Sequence, residues 1–495
     1  MKKQIFVIAF LFISLQIFSQ DIRVPLDTTV VTNNTVVIKG KRISYKAQTG
    51  TQPVYDAKGN PKATLFYTYY YRTDVTNREK RPLIMSFNGG PGSASVWMHI
   101  AYTGPKILKI DDEGNPVQPY GIKDNPYSIL DVADIVFVNP VNTAYSRPIV
   151  QPKKKVDKKY FFGINADAKY LADWLNMFIT RNNRWNSPKY IIGESYGGTR
   201  VMQLAYELQS KQWMYLNGVI MVSPADYQLL RTKSSEDYAI NFPYFTAAAW
   251  YHKMLPKKLQ QQDLLDILPK AEQFSINTLL PALAKGGYIS SAEKNAVAEK
   301  MAYYSGLKKQ VILQHNLEVP NRYFWKELLR DANGKTIGRL DSRYLGLDRR
   351  ETGDSPDYSP ELVSWLHSFT PAINYYIQNV LNFKTDVKYN MFGAVHPWDF
   401  SKNNARENLR KAMAQNPYLN VLVQSGYYDG ATTYSAAKYT LGKIDPSGKL
   451  KNRLSFKGYR SGHMMYLRKI DLEKANDDLR EFIKNSSKNI GPAKY

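Results

Sequence analysis

Tyr190-Ile191-Ile192-Gly193-Glu194-Ser195-Tyr196-Gly197-Gly198 is the stretch on which the fold of this chain turns. Three apolar residues of strand character run into a glycine, and the segment that follows, Gly198 to Leu208, has helical character. The pentad Gly193 to Gly197 has the form G-x-S-x-G, and a strand before it with a helix after it is the context that motif needs to expose a nucleophile. A serine at so sharp a turn sits in strained backbone geometry, which small neighbours make possible; Gly193, Gly197 and Gly198 supply them. The turn also places the hydroxyl at a helix N-terminus, where backbone N–H groups can meet an oxyanion. Ser195 is therefore the candidate nucleophile, and the N–H of Tyr196 is one candidate oxyanion donor.

Working outward, Leu83 to Phe87, Ile135 to Val138, Val219 to Val222 and Val421 to Val423 also read as short buried strands. Between Val138 and Tyr190, the residues Tyr170, Leu171, Trp174, Leu175, Phe178 and Ile179 fall at helical spacing. Such alternation predicts an α/β fold with a mostly parallel sheet and right-handed crossovers, its active site at the carboxyl ends of the strands. Upstream, residues 29 to 80 alternate β-branched and aromatic residues with turn signals such as Lys58-Gly59-Asn60-Pro61, the pattern of antiparallel hairpins. Asn88-Gly89-Gly90-Pro91-Gly92 follows the strand Leu83 to Phe87, where an α/β-hydrolase carries its second oxyanion donor; Gly90 is the candidate.

In that fold an acid and then a histidine follow the serine, each in a loop after a late strand. His463, in Ser461-Gly462-His463-Met464, follows the strand-like Leu454 to Phe456 and fits. His99, His252, His315, His367 and His396 read as structural. Asp429, in Gly426-Tyr427-Tyr428-Asp429-Gly430, lies just past Val421 to Val423 and is preferred as the acid over Asp226, which comes only about one element after Ser195. There is no H-E-x-x-H and no cysteine, so the chemistry reads as metal-free, with no cofactor implied. Asp111-Asp112-Glu113-Gly114-Asn115 lacks the glutamate of a calcium loop and reads as a β-turn.

Lys2 and Lys3 followed by the apolar run Ile5 to Phe18 match a secretory leader, so residues 1 to about 20 are expected to be removed and the chain exported, to a periplasm or the extracellular space. The absence of cysteine suits a bacterial export route. No later stretch has the apolar length of a transmembrane helix, so no stable membrane insertion is expected. The net charge of +24 is spread along the chain, which argues against nucleic acid as a partner; Lys153, Lys154, Lys155, Lys158 and Lys159 read as a solvated loop. Residues 21–228 read as the first part of the core with an N-terminal β extension. Residues 229–405 read as an inserted, mainly helical cap, and 406–495 as the second part of the core. Nothing in the sequence sets an oligomeric state.

Through Asn88-Gly89-Gly90-Pro91-Gly92, Gly193-Glu194-Ser195-Tyr196-Gly197-Gly198 and Ser461-Gly462-His463-Met464, the chain from about residue 62 onward resembles the serine carboxypeptidases typified by carboxypeptidase Y. The resemblance implies an α/β-hydrolase fold with a helical insertion and peptides as substrates. It implies a triad of Ser195, Asp429 and His463, oxyanion N–H groups from Gly90 and Tyr196, and recognition of the substrate's terminal carboxylate by Asn88 and Glu194. Facing another carboxylate, Glu194 must carry a proton, so exopeptidase activity is expected to favour acid conditions. Three positions depart from the family pattern: Phe87 stands for its Trp, Ser93 for its Cys, and Tyr102 and Thr103 where an acidic residue precedes Gly-Pro. The other enzymatic readings are a proline-type aminopeptidase or an esterase, and a catalytically inactive binding protein is the reading from another class.

Overall fold

The computed structural model describes residues 24–150, 155–230 and 234–487. The expected leader lies outside these residues, as do Lys153 and Lys154 of the basic cluster. Lys158 and Lys159, expected in a loop, instead open a short helix, Lys158–Phe161, because the Asp157 side chain accepts from Lys159 N and caps it.

Strands β1 (Thr28–Ile38), β2 (Lys41–Tyr55) and β3 (Pro61–Arg72) form an antiparallel meander. The turn between β2 and β3 is the one expected around Gly59, which adopts φ 79°, and the Asp56 carboxylate accepts from Lys58 N and Asn60 N. The main path of the sheet is completed by β4 (Leu83–Phe87), β5 (Asp134–Val138), β6 (Lys189–Glu194), β7 (Gly218–Val222), β8 (Asn420–Gly426) and β9 (Leu454–Tyr459). Across the sheet the order is β1-β2-β3-β5-β4-β6-β7-β8-β9, antiparallel as far as the β3–β5 pair and parallel from β5 onward.

Burial on both faces explains why the parallel strands read as unbroken apolar runs. Alternate residues of the same strands enter different cores: Met85, Val136, Ile191 and Met221 one, Ile84, Ile135, Ile192 and Ile220 the other. Helix α1 (Ile164–Arg181) covers the first with Tyr170, Leu171, Trp174, Leu175, Phe178 and Ile179, all buried as their spacing predicts. Helix α2 (Tyr196–Lys211) leaves β6 directly.

Register then assembles the site. Phe87 at the end of β4 pairs with Gly193 on β6, which sets the glycine loop after β4 beside the turn at Ser195. Gly426 pairs with Tyr459 at the ends of β8 and β9, which sets the Asp429 loop beside the His463 loop.

Between β7 and β8 the chain leaves the sheet. Its first half, including α3 (Ser235–Tyr251), builds a separate core in which Phe245 stacks on Phe324 with ring centroids 4.0 Å apart. Two helices, Lys257–Gln260 and Leu264–Phe274, follow one another here, and Asp263 caps the second through Leu265 N. The segment also contains a short antiparallel pair, Thr336–Ile337 with Leu345–Gly346, that its composition does not signal. Helix α4 (Pro360–Tyr375) packs into the sheet's own core through Trp365 and Phe369, the latter 4.7 Å from Trp97 between ring centroids. Among the described residues no helix is long and apolar enough to cross a membrane.

Candidate active site

Ser195 turns the chain from β6 into α2 with φ 60° and ψ −124°, a conformation non-glycine residues rarely adopt. Neighbouring strands hold it there: its N–H donates to Val222 O at 2.9 Å, and its carbonyl accepts from Gly198 N at 2.8 Å and Ala225 N at 2.9 Å. A Cβ on Gly193 would sit 2.1 Å from Gly197 O, and one on Gly89 would sit 2.6 Å from Tyr196 N, so both glycines are required by close approach. Tyr196 is the first helical residue, whose N–H has no acceptor within the helix. Gly90 and Ser195 line the same cavity.

His463 Nδ1 lies 2.6 Å from Asp429 Oδ2. Asp429 is fully buried; its other oxygen accepts from Ala431 N at 2.9 Å and Thr432 N at 3.0 Å. Thr432 Oγ1 lies 2.7 Å from Asp429 Oδ2 and 3.0 Å from His463 Nδ1, so it braces the pair. The sequence reading missed Thr432, although Asp followed by Thr three residues later is a common local hydrogen-bonding pattern. Burial works against a charged imidazole, but the adjacent Asp429 and the bond to it, with help from Glu194, outweigh that, and His463 titrates above its ordinary value. The rival acid, Asp226, is engaged elsewhere, 3.3 Å from Arg406 and 3.0 Å from Thr440 Oγ1. His99 bonds to Tyr70 Oη, His252 to Ser342 O, and His315 and His367 to the carbonyls of Val311 and Val363. His396 is exposed, beside Pro397.

Glu194 precedes the serine and is almost fully buried on the wall of this cavity. Burial pushes its carboxyl up to about 7, against the pull of His463, of the Tyr466 hydroxyl and of Asn88. Tyr466 Oη donates to Oε2, and Asn88 Nδ2 donates to Oε1 at 3.1 Å. Asn88 itself is completely buried behind Glu194; its Oδ1 accepts from Met98 N at 3.1 Å and its carbonyl from Arg200, which pairs with Asp167 at 2.6 Å. Tyr466 answers the third departure from the family pattern. Tyr102 stacks on it with ring centroids 4.8 Å apart and an interplanar angle of 8°, so a phenol rather than a second carboxyl adjoins Glu194. A phenol stabilises the charged form where a carboxylate would repel it. Only the fold gives that hydroxyl its partner. Ser93 Oγ accepts from Trp97 Nε1 at 2.8 Å, and both residues line the cavity.

The cavity has a volume of about 360 Å³. Part of its wall comes from the segment between β7 and β8: Arg339, Leu340, Leu362, Trp365 and Phe392. The loop 338–344 is clamped over both catalytic-candidate loops. Gly430 N donates to Arg339 O at 3.0 Å, His463 N to Leu340 O at 2.6 Å, and Ser342 N to Tyr428 O at 3.0 Å. Arg343 pairs with Asp341 at 2.7 Å and reaches Ser461 Oγ at 3.1 Å.

The family model described as serine carboxypeptidase matches residues 44–468, which takes in every residue of this site. The chain belongs to the serine carboxypeptidase family. Among curated proteins, this family member is 25% identical over 196 residues to serine carboxypeptidase-like 13 of Arabidopsis thaliana, covering 39% of this chain and 42% of that protein. It is 20% identical over 332 residues to serine carboxypeptidase-like 5 of the same plant, covering 63% and 66%. The chain thus spans from under half to about two thirds of the length of these relatives. Among solved structures it resembles KEX1(DELTA)P, a prohormone-processing carboxypeptidase from Saccharomyces cerevisiae, with a TM-score of 0.56 at 14% identity over 90% of this chain and 92% of that one. At that identity the likeness speaks for the fold, an α/β-hydrolase with a mostly parallel central sheet.

Proposed function

We propose that this protein is a serine-type carboxypeptidase that hydrolyses the last bond of peptides bearing a free C-terminus. The observation that carries the reading is one cavity bordered by Ser195, His463 and a buried Glu194 that holds its proton up to about pH 7. Ser195 Oγ attacks the scissile carbonyl as His463 Nε2 takes its proton, and Asp429 orients the imidazole through Nδ1. The N–H groups of Tyr196 and Gly90 receive the oxyanion, each contributing on the order of 3 kcal/mol to lowering the barrier. The leaving amine takes the proton from His463, and water then releases the acyl group from Ser195. Protonated Glu194 donates to the substrate's terminal carboxylate, and Asn88 acts through Glu194 by fixing its orientation. Residues 229–405 serve as the cap that closes one side of the cavity, and the basic, apolar start of the chain directs export to a periplasm or the extracellular space.

The test offers one blocked dipeptide as free acid and as C-terminal amide across about pH 4 to 8, with Ser195→Ala as control. Release from the free acid alone, weakening above about pH 7 and lost in Ser195→Ala, is the expected result. Equal rates on acid and amide would sink the carboxypeptidase reading and leave a serine hydrolase.

A further inference from the structure

Arg339 is the only permanently charged cation among the described residues lining the active-site cavity. Its backbone has little freedom, since Gly430 N holds its carbonyl at 3.0 Å and His463 N holds that of the next residue at 2.6 Å. The side chain is exposed, and among the described residues no hydrogen bond or ion pair engages its guanidinium. The neighbouring acid that could neutralise it is taken, because Asp341 pairs with Arg343 at 2.7 Å. Glu361 feels Arg339 electrostatically, yet burial pushes its carboxyl up to about 7, as it does for Glu194, so neither supplies a counter-charge in mildly acid solution. The rest of the nearby wall is apolar, from Trp97, Leu362, Trp365 and Phe392. An uncompensated guanidinium on an apolar wall is a receptor for a carboxylate, which it can take in a bidentate grip.

The position of that carboxylate follows from Glu194. The residue whose terminal carboxylate Glu194 reads is the leaving residue, and Glu194 lines this same cavity, so the leaving residue's side chain must share the cavity with Arg339. We propose that Arg339 sets specificity for an acidic leaving residue: the protein releases C-terminal glutamate and aspartate in preference to neutral or basic residues. The apolar wall covers the methylene groups and the guanidinium holds the side-chain carboxylate. This inference rests on the carboxypeptidase reading given above.

The test measures kcat/KM at about pH 5.5, where a glutamate side chain is ionised and Glu194 still protonated, on four blocked dipeptides that share one acyl half and end in Glu, Gln, Leu or Lys. In the native protein Glu is expected to exceed Gln by about tenfold, the order of discrimination a dedicated polar contact provides. Arg339→Gln should bring the Glu:Gln ratio close to one, and Arg339→Glu should invert the Glu:Lys ratio. These ratios are internal to each variant, so a partly unfolded preparation does not mimic them. A native Glu:Gln ratio near one would overturn the proposal. So would an Arg339→Gln variant that slows all four substrates by one factor, which would place Arg339 on the terminal carboxylate instead. If none of the four is released while an ester of the same acyl half is cleaved, the carboxypeptidase reading fails and takes this inference with it.

Discussion

A carboxyl group proposed to read a carboxylate must keep its proton, and at Glu194 burial costs the charged form more than Tyr466, Asn88 and His463 return. The sign for activity follows. In the proposed mechanism His463 must be neutral to act as base, so activity should rise with pH through its elevated pKa. Glu194 must be protonated, so release from free acids declines as pH rises through about 7. An ester with the same acyl group needs only the first condition and should plateau rather than fall. Tyr466→Phe removes a donor that favours the charged form of Glu194, so the free-acid decline should move to higher pH by about half a unit to one unit, the ordinary size of a single hydrogen-bond effect. Paired pH–rate profiles on acid and ester check this, and a decline that moves downward would show that Tyr466 acts otherwise. Of this group, Glu194 and Asn88 were singled out only through the family resemblance their motifs carry, and the structure places them 3.1 Å apart. Tyr466 was not, since a tyrosine in an apolar run is marked as functional only by what it touches.

At the level of elements, the loop 338–344 adds a second tie between the Asp429 loop and the His463 loop, which the second core segment already joins through Tyr428 N to Ser461 O at 2.9 Å. The loop depends in turn on α4, where the buried Glu361 accepts from Leu340 N at 2.8 Å, and Leu340 O accepts from His463 N. Glu361 is thus a positioning residue two steps from the imidazole. Glu361→Ala leaves the part-buried Leu340 N–H without its acceptor, a loss of about 1 kcal/mol, and should lower kcat about tenfold with little change in KM. Glu361→Gln keeps an acceptor for Leu340 N and should restore most of kcat. If both variants lose only stability, the loop is scaffolding. The sequence reading assigned this region to an inserted, mainly helical cap. It did not foresee the loop, because the contacts that make it functional come from residues about a hundred positions away.

For the molecule as a whole, burial of Glu194 and Glu361 makes stability depend on pH in an unusual direction. In the unfolded chain both ionise near 4.5, and in the folded chain near 7. Between those values the folded protein keeps protons that the unfolded one has released, so stability falls as pH rises from about 4.5 past 7. His463 adds in the same sense: its raised pKa gives stabilisation that is complete below the ordinary histidine value and lost as pH climbs through the folded one. The thermal midpoint should drop by a few degrees between about pH 5.5 and pH 8, and Glu361→Gln should flatten part of the drop. Thermal melts at fixed ionic strength check this, and a midpoint that rises over the same interval would contradict it.

The sequence by itself determined the alternation of strands and helices, the turn at Ser195, the glycine loop after β4 and the position of His463 in the loop after β9, because each rests on local pattern: apolar period, glycine tolerance and the residue types of a motif. The choice of Asp429 over Asp226 was an inference from order along the chain. Only the tertiary structure shows Asp429 against His463 and Asp226 against Arg406. The same holds for the Tyr466 hydroxyl on Glu194 and for Arg339 in the cavity. These pairings join residues far apart along the chain, and they are decided by strand register and by the path of the inserted segment, which no local window of sequence contains.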